Sequence, residues 1–381
     1  GPLDSCHFLS PGPPVAATMG CCFSHKNDGT LIIPAKHFPE FRKGLPSMSG
    51  KTVAITGCTT GTGRICAMTC AKLGAKVIML NRASGRAEQA LAAVAEVAKH
   101  QNAPAPVSIE CNLTSFKSVR EAGEKLRSLL ADDGLDVLCN NAGIMGFGDE
   151  STEDGCDIQM QTNHTSHFLL TSLCMPLLEL AAQKRGEARI VNHSSAARKM
   201  DDTDNTFDAK YMDKNGGNLG GSSATFLKGA NFKRYQQTKL ANVVFTYALR
   251  DRLTAAGSKV KALVAHPGVA PTQLMAHCAE AGGAEDTKGM PKCMGDILLY
   301  WLMHSEEDAA MGISLCCCDP GAKSGEFYGP AGKTEGDSAK HDMSEYKGKA
   351  ELKQEEKLAD PKAREALWDM SEKVTSTKFV I

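Results

Sequence analysis

The sequence predicts an α/β fold, one domain built on a doubly wound parallel sheet, with an extended N-terminal tail and a C-terminal helix. Three observations predict it. Short apolar runs alternate with amphipathic stretches from Lys51 onward, the trace that strand–helix–strand units leave in a sequence. The first apolar run passes directly into a glycine-rich loop that opens a helix, which is the setting of a dinucleotide-binding turn. The alternation then continues to Ala265 with one long break, and right-handed crossovers restrict how such units can be wound.

In chain order, residues 52–55 are a short buried strand and 64–73 a helix. Residues 76–80 form the second strand and 86–99 the second helix. Strands at 107–111 and 136–139 flank a helix around 119–130. Helices near 158–183 and 235–256 precede strands at 189–192 and 261–265. Asp360 before Pro361 is an N-cap with proline at the first helical position; Ala363, Leu367, Trp368 and Met370 follow on a last helix. The domain occupies residues 48–330. Residues 1–47 read as a cleavage scar (Gly1 to Ser5) and a largely disordered tail, and 331–381 as a charged excursion followed by the C-terminal helix packed on the domain. Residues 200–232, rich in Asp, Asn, Gly and Ser, make a long connection, and loops of that length inside a compact domain tend to be functional. An active-site rim is expected there.

Composition narrows the function. The chain has 381 residues, 42% of them hydrophobic, and a net charge of −1. That charge gives no electrostatic reason to expect a nucleic-acid partner. No apolar run approaches the roughly 20 residues of a membrane span. The 15 cysteines sit in apolar segments and lack paired C-x-x-C spacing. They read as small apolar residues of a reduced, cytoplasmic protein, with no metal site expected.

Met19, Gly20, Cys21, Cys22, Phe23 and Ser24 fit the N-myristoylation pattern, with two cysteines placed for palmitate. If translation starts at Met19, this predicts anchoring to a membrane surface by two acyl chains, since one myristoyl chain binds only marginally. Fractionation of cells expressing the chain from Met19, beside a Gly20→Ala version, checks it. Equal amounts of both in the soluble fraction rule the anchor out.

The loop Gly57, Cys58, Thr59, Thr60, Gly61, Thr62, Gly63 lets backbone approach a pyrophosphate, which the following helix N-terminus favours. This makes the sheet Rossmann-type. At the end of the second strand, an acidic residue would bind a ribose hydroxyl and repel a 2′-phosphate. Asn81 and Arg82 stand there instead, and a guanidinium takes phosphate bidentately; Arg86 is placed to share that role. The expected cofactor is NADPH/NADP+. Further on, Tyr235 and Lys239 lie four residues apart on one helix face. An ammonium held there favours the phenolate and lowers the tyrosine pKa, making a proton donor to an alkoxide or an acceptor from an alcohol.

These residues resemble the short-chain dehydrogenase/reductase superfamily, over roughly residues 48–330 and again at 358–379. The turn Asn140, Asn141, Ala142, Gly143 is similar to that family's sheet-stabilising turn beside the cofactor. Asn163 and Ser195 match the asparagine and serine of its catalytic tetrad, completed by Tyr235 and Lys239. Pro267, Gly268, Val269 and Thr272 match the segment that cradles the nicotinamide end. Asn112 and Leu113 stand where the family usually has Asp-Leu against adenine. The segments 239–246 and 325–330 look most like the retinol-dehydrogenase-like branch. The resemblance implies hydride delivery from NADPH to a carbonyl carbon, Tyr235 as proton donor, Ser195 on the substrate oxygen, Lys239 on the nicotinamide ribose, and Asn163 positioning a water that links Lys239 to solvent. Met145 and Phe147, with Ser195 and Tyr235, are the expected pocket for a lipophilic aldehyde, ketone or matching alcohol, and residues 273–300 are expected to help close it. A nucleotide-binding scaffold acting through protein partners is the alternative. Substrate identity and oligomeric state, a homodimer included, are not legible.

Overall fold

A computed structural model describes residues 24, 31–199, 206–215, 217–223, 228–268, 303–329, 331–332, 341–342 and 359–381. Val269, Thr272, residues 273–300, most of the charged excursion and, apart from Ser24, the acylation pattern lie outside the described residues.

The elements run α1 (Phe38–Lys43), β1 (Thr52–Thr56), α2 (Gly61–Lys72), β2 (Lys76–Asn81), α3 (Gly85–His100), β3 (Val107–Glu110), α4 (Phe116–Leu129) and β4 (Val137–Asn140). Then come α5 (Ile158–Met160), a π-turn (Gln161–Thr165), α6 (Ser166–Arg185), β5 (Ala188–His193), α7 (Ala230–Ala255) and β6 (Val260–Ala265). The chain continues with α8 (Glu306–Ala309), α9 (Met311–Cys318), β7 (Phe327–Tyr328), β8 (Ala331–Gly332), β9 (His341–Asp342) and α10 (Pro361–Thr375). The main sheet has the order β3-β2-β1-β4-β5-β6-β7, every neighbouring pair parallel. This is the doubly wound sheet the alternation predicts. It reverses direction between β1 and β4, the switch point where ligands bind in such sheets.

Successive strand residues face opposite layers. Val53, Ile55, Val77 and Met79 join the core beneath α2, α3 and α9. Ala54, Ile78 and Leu80 join the core beneath α4, α6, α7 and α10. The last helix is tied down by aromatic packing: Trp368 lies 5.2 Å from Phe168 and 4.8 Å from Phe379 between ring centres. Its start is fixed by Asp360, whose carboxylate accepts from Ala363 N at 2.9 Å.

Two expectations are corrected. The apolar stretch Ile158–Arg185 is, by length and composition, long enough to cross a bilayer, but 72% of its most apolar window is buried within the fold, so it is a core helix packed on both sides. A seventh strand, β7, extends the sheet; a strand of two residues leaves no periodicity to detect.

Candidate active site

The glycine loop is shaped by its neighbour across the sheet. Gly57 has φ +69°, and a Cβ there would lie 2.8 Å from Ala142 Cα. At Gly63 a Cβ would lie 2.3 Å from both Asn141 Nδ2 and Gly57 O. Only glycine leaves room for the loop to press onto the turn after β4. Asn141 joins the two: its Nδ2 donates to Thr56 O at 2.9 Å and Gly57 O at 3.1 Å. Its Oδ1 accepts from Thr62 Oγ1 at 3.2 Å and lies 2.9 Å from His193 Nδ1. An amide oxygen cannot donate, so His193 carries its proton on Nδ1. Burial, then the charge of Lys239, holds the His193 pKa down to about 3, and the ring is neutral.

The residues present fit a dinucleotide. Beyond the glycine cradle, α2 begins at Gly61, and Thr60 before it makes no side-chain cap, leaving N–H groups for an anion. Thr59, Thr60 and Thr62 are half-buried around it. Asn81 Oδ1 accepts from Cys58 N at 2.7 Å, so this residue braces the loop, while its Nδ2 is buried with no partner among the described residues. An orphaned donor at the end of β2 is what a nucleotide oxygen would satisfy. Arg82, the next residue, and Arg86 are exposed. Asn112 turns inward on its own loop, its Oδ1 accepting from Thr114 N and Oγ1 at 3.2 and 2.9 Å. Leu113 belongs to the core, and its carbonyl accepts from Ser166 Oγ at 2.6 Å. Asn112 is therefore spent partly on its own loop, and Leu113 on the core and α6. After β6, Pro267 and Gly268 follow His266, with Gly268 N donating to His266 Nδ1 at 3.2 Å.

On α7, Tyr235 and Lys239 are both buried and share a face, Lys239 Nζ standing 5.8 Å from the centre of the Tyr235 ring. Lys239 Nζ donates to His193 O at 3.1 Å. Burial pulls its pKa down to about 8. Ser195 lies just past β5 and is half-buried. Its Oγ accepts from Ala197 N at 3.2 Å, which directs the hydroxyl hydrogen elsewhere. Ala197 packs with Tyr235, Met145 and Phe232 in a small apolar cluster. Phe147 stays outside that cluster; its carbonyl accepts from Gln159 and Arg234 at 3.4 Å each.

Asn163 sits in the π-turn, a helix irregularity frequent at functional sites. Its Oδ1 accepts from Ile144 N at 2.8 Å, and its Nδ2 donates to Ile144 O and Thr238 Oγ1 at 2.9 Å each. The carboxamide is thus largely committed to holding the turn after β4. What remains to meet a water is the second lone pair of Oδ1. It shares the space over Gly143, where a Cβ would lie 3.1 Å from Lys239 Nζ and 3.3 Å from Asn163 Oδ1.

Several supporting residues escape sequence reasoning. His167 Nε2 is 2.9 Å from Thr56 Oγ1, and its Nδ1 is 3.1 Å from Asn163 O. Arg198 is buried, donates to Ser195 O at 3.0 Å and lies 4.1 Å over the Phe327 ring. Each adds to a local bond, to Asn163 or Ser195, a contact with a distant segment, at Thr56 or Phe327, which no local spacing announces. The described parts of the 200–232 connection lie against α7 and the loop after β4. Asp208 N donates to Gln237 Oε1 at 3.0 Å, and Leu219 N and Gly221 N both donate to Asp149 Oδ2 at 2.8 Å. Tyr211 and Met212 enter the core.

Comparison with known proteins agrees with this geometry. A family model described as short chain dehydrogenase matches residues 51–206. The chain is 35% identical over 263 residues to retinol dehydrogenase 14 of Mus musculus, covering 65% of this chain and 72% of that protein. It is 32% identical over 297 residues to polyprenol dehydrogenase of Homo sapiens, covering 75% and 79%. A crystal structure of an uncharacterised protein from Mycobacterium paratuberculosis matches with a TM-score of 0.60 at 28% identity, over 89% of this chain and 98% of that one. With a fold that takes a nicotinamide cofactor and relatives of this kind, the chain belongs to the short-chain dehydrogenase/reductase superfamily, in its retinol-dehydrogenase-like branch, and is an oxidoreductase.

Proposed function

We propose that this oxidoreductase uses NADPH to reduce the carbonyl of a lipophilic substrate, or NADP+ to oxidise the matching alcohol. The observation that carries the reading is the setting of Tyr235: a buried phenol in an apolar cluster with Met145, Ala197 and Phe232, with a lysine ammonium held on the same helix face. Such a setting suits an apolar molecule, and relatives named retinol dehydrogenase and polyprenol dehydrogenase bear names of lipophilic alcohols. Bound at the glycine loop, the cofactor supplies or accepts the hydride. Tyr235 is the proton donor to the carbonyl oxygen. Ser195, whose Oγ already accepts from Ala197 N, has its own hydrogen available to donate to that oxygen and share its developing charge. Lys239, fixed by the His193 carbonyl, favours the phenolate left behind. A panel of retinoid, steroid and fatty carbonyls, followed by NADPH oxidation, tests the proposal. Turnover confined to small polar carbonyls defeats it, and cofactor binding with no turnover at all favours the scaffold alternative.

Two further outcomes follow. Arg82 stands exposed at the end of β2, and a charge-assisted bond to a 2′-phosphate contributes about 1.5–3 kcal/mol. NADPH should therefore bind about 10- to 150-fold more tightly than NADH, and Arg82→Ala should remove most of the difference. Equal dissociation constants for the two cofactors in the wild type would dismiss Arg82 as the reader of that phosphate. The second concerns pH. Lys239 is cationic below a pKa of about 8 and neutral above it. The reductive rate should fall as pH rises through that value, and Lys239→Arg should move the falling limb to higher pH while lowering the rate. The folded pKa lies below that of an unfolded lysine, so the native state binds fewer protons between the two values. Stability should rise with pH across that window. A flat reductive profile from pH 7 to 10 contradicts the assignment.

A further inference from the structure

Cys66 on α2, Cys139 on β4 and Cys317 on α9 bring three sulfur atoms within 4.8 Å of one another. Sγ of Cys66 and Cys317 are 3.8 Å apart, and both residues, like Cys139, are fully buried thiols outside any disulfide. They lie in the apolar layer with Ile55, Val191, Leu263 and Ile313. The proposed reaction uses none of them. The sequence hides the group because its members come from three elements on both sides of the chain's long middle; no ligand spacing connects them.

Three soft sulfur donors select a thiophilic centre, and the surroundings choose among such centres by charge. A structural zinc takes four ligands, whereas among the described residues only three side chains are in mutual reach; Cys70 neighbours Cys66, Cys317 and Cys318 without joining that set, and a fourth thiolate on zinc would add a further negative charge. Zinc on three thiolates keeps one negative charge and monovalent copper two, and a net charge in an apolar core is costly. A trivalent metalloid on three thiolates has none. We propose that Cys66, Cys139 and Cys317 form a trithiol site for trivalent arsenic or antimony, held as a neutral tris-thiolate. With arsenous acid, three As–O and three S–H bonds break, three As–S bonds form and three waters leave. Arsenic stays trivalent and no proton is gained or lost overall. The product joins the helix that begins at the glycine loop to the strand that leads into the Asn140–Gly143 turn. Because the thiols are buried, entry follows local opening of the α2–α9 layer, and uptake is slow.

The test uses the full chain, reduced and incubated with sodium arsenite. Native mass spectrometry should show one arsenic gained with three hydrogens lost. Cys66→Ala, Cys139→Ala and Cys317→Ala should each lose that adduct. Cys111→Ala, which removes a buried thiol from the opposite core, should keep it. Arsenic X-ray absorption on the wild type, which depends on no variant folding, should show three sulfur neighbours and no oxygen. Two sulfurs and one oxygen overturn the proposal, as does a three-hydrogen adduct that survives in all three alanine variants. Zinc displacing arsenite at equal concentration overturns the charge argument and with it the assignment.

Discussion

Tyr235→Phe is expected to lower turnover by roughly 10²–10⁴-fold, the usual contribution of a general acid, while NADPH affinity stays close to wild type. The substitution removes one oxygen. The ring keeps its place against Phe232, whose centre lies 6.0 Å away, and its contacts with Met145 and Ala197. The backbone of the helix is equally undisturbed, because the Tyr235 carbonyl still accepts from Thr238 Oγ1 at 2.7 Å. Lys239→Met should behave differently. It removes the ammonium that bonds the His193 carbonyl, so it should weaken cofactor binding as well as slow the reaction. The contrast between the two variants separates a proton donor from a group that positions and charges the site. Fluorescence titration of NADPH and steady-state rates on the substrate found in the panel measure it. A Tyr235→Phe enzyme retaining most of its turnover would remove Tyr235 from the proposed role.

Much of this site is legible in the sequence, because its residues sit at the ends of strongly patterned elements. Six of the seven main-sheet strands show as apolar runs, and the glycine loop and the turn after β4 lie where two of those runs stop. Tyr235 and Lys239 are legible as an i, i+4 pair, and the helix holds them as that spacing requires. What the sequence conceals is the use of side chains across elements. Asn163 marks the site from its motif, yet its carboxamide grips the Ile144 backbone, a contact between segments that no pattern relates. Asn112 and Leu113 occupy positions named for adenine, but one closes a turn through Thr114 and the other fills the core. The cysteines show most plainly why the rest was hidden. Their apolar settings identify them as core residues, and the core is where three of them meet.

Asp157→Ala is expected to destabilise the fold by about 3–5 kcal/mol, the cost of leaving one member of a buried ion pair behind. That is a large share of the roughly 5–15 kcal/mol that holds a typical domain together. Asp157 and Arg234 are each 1% exposed, with Nε and Oδ2 3.2 Å apart. The guanidinium also donates to Gly221 O at 2.8 Å and Asn231 Oδ1 at 3.1 Å, so it cannot leave the interior without breaking the wall beside Tyr235. Burial pushes the Asp157 pKa up to about 6 against the opposing pull of the Met160 N–H and Arg234, and at neutral pH the carboxylate is still ionised. Its other oxygen accepts from Met160 N at 2.8 Å and starts the helix that carries Asn163. Asp157→Asn keeps an oxygen for that cap but loses the charge, and most of the destabilisation should remain. A paired Asp157→Leu, Arg234→Met protein should regain part of it, since the stranded charge is then gone. The same single variants should raise KM, because Arg234 ties Gly221 and Phe147 to the helix one residue before the proposed acid. Urea denaturation of the four proteins, with KM measured alongside, decides the point. A loss under about 1 kcal/mol for Asp157→Ala, the size of an exposed pair, would mean that the pair does not hold this wall in place.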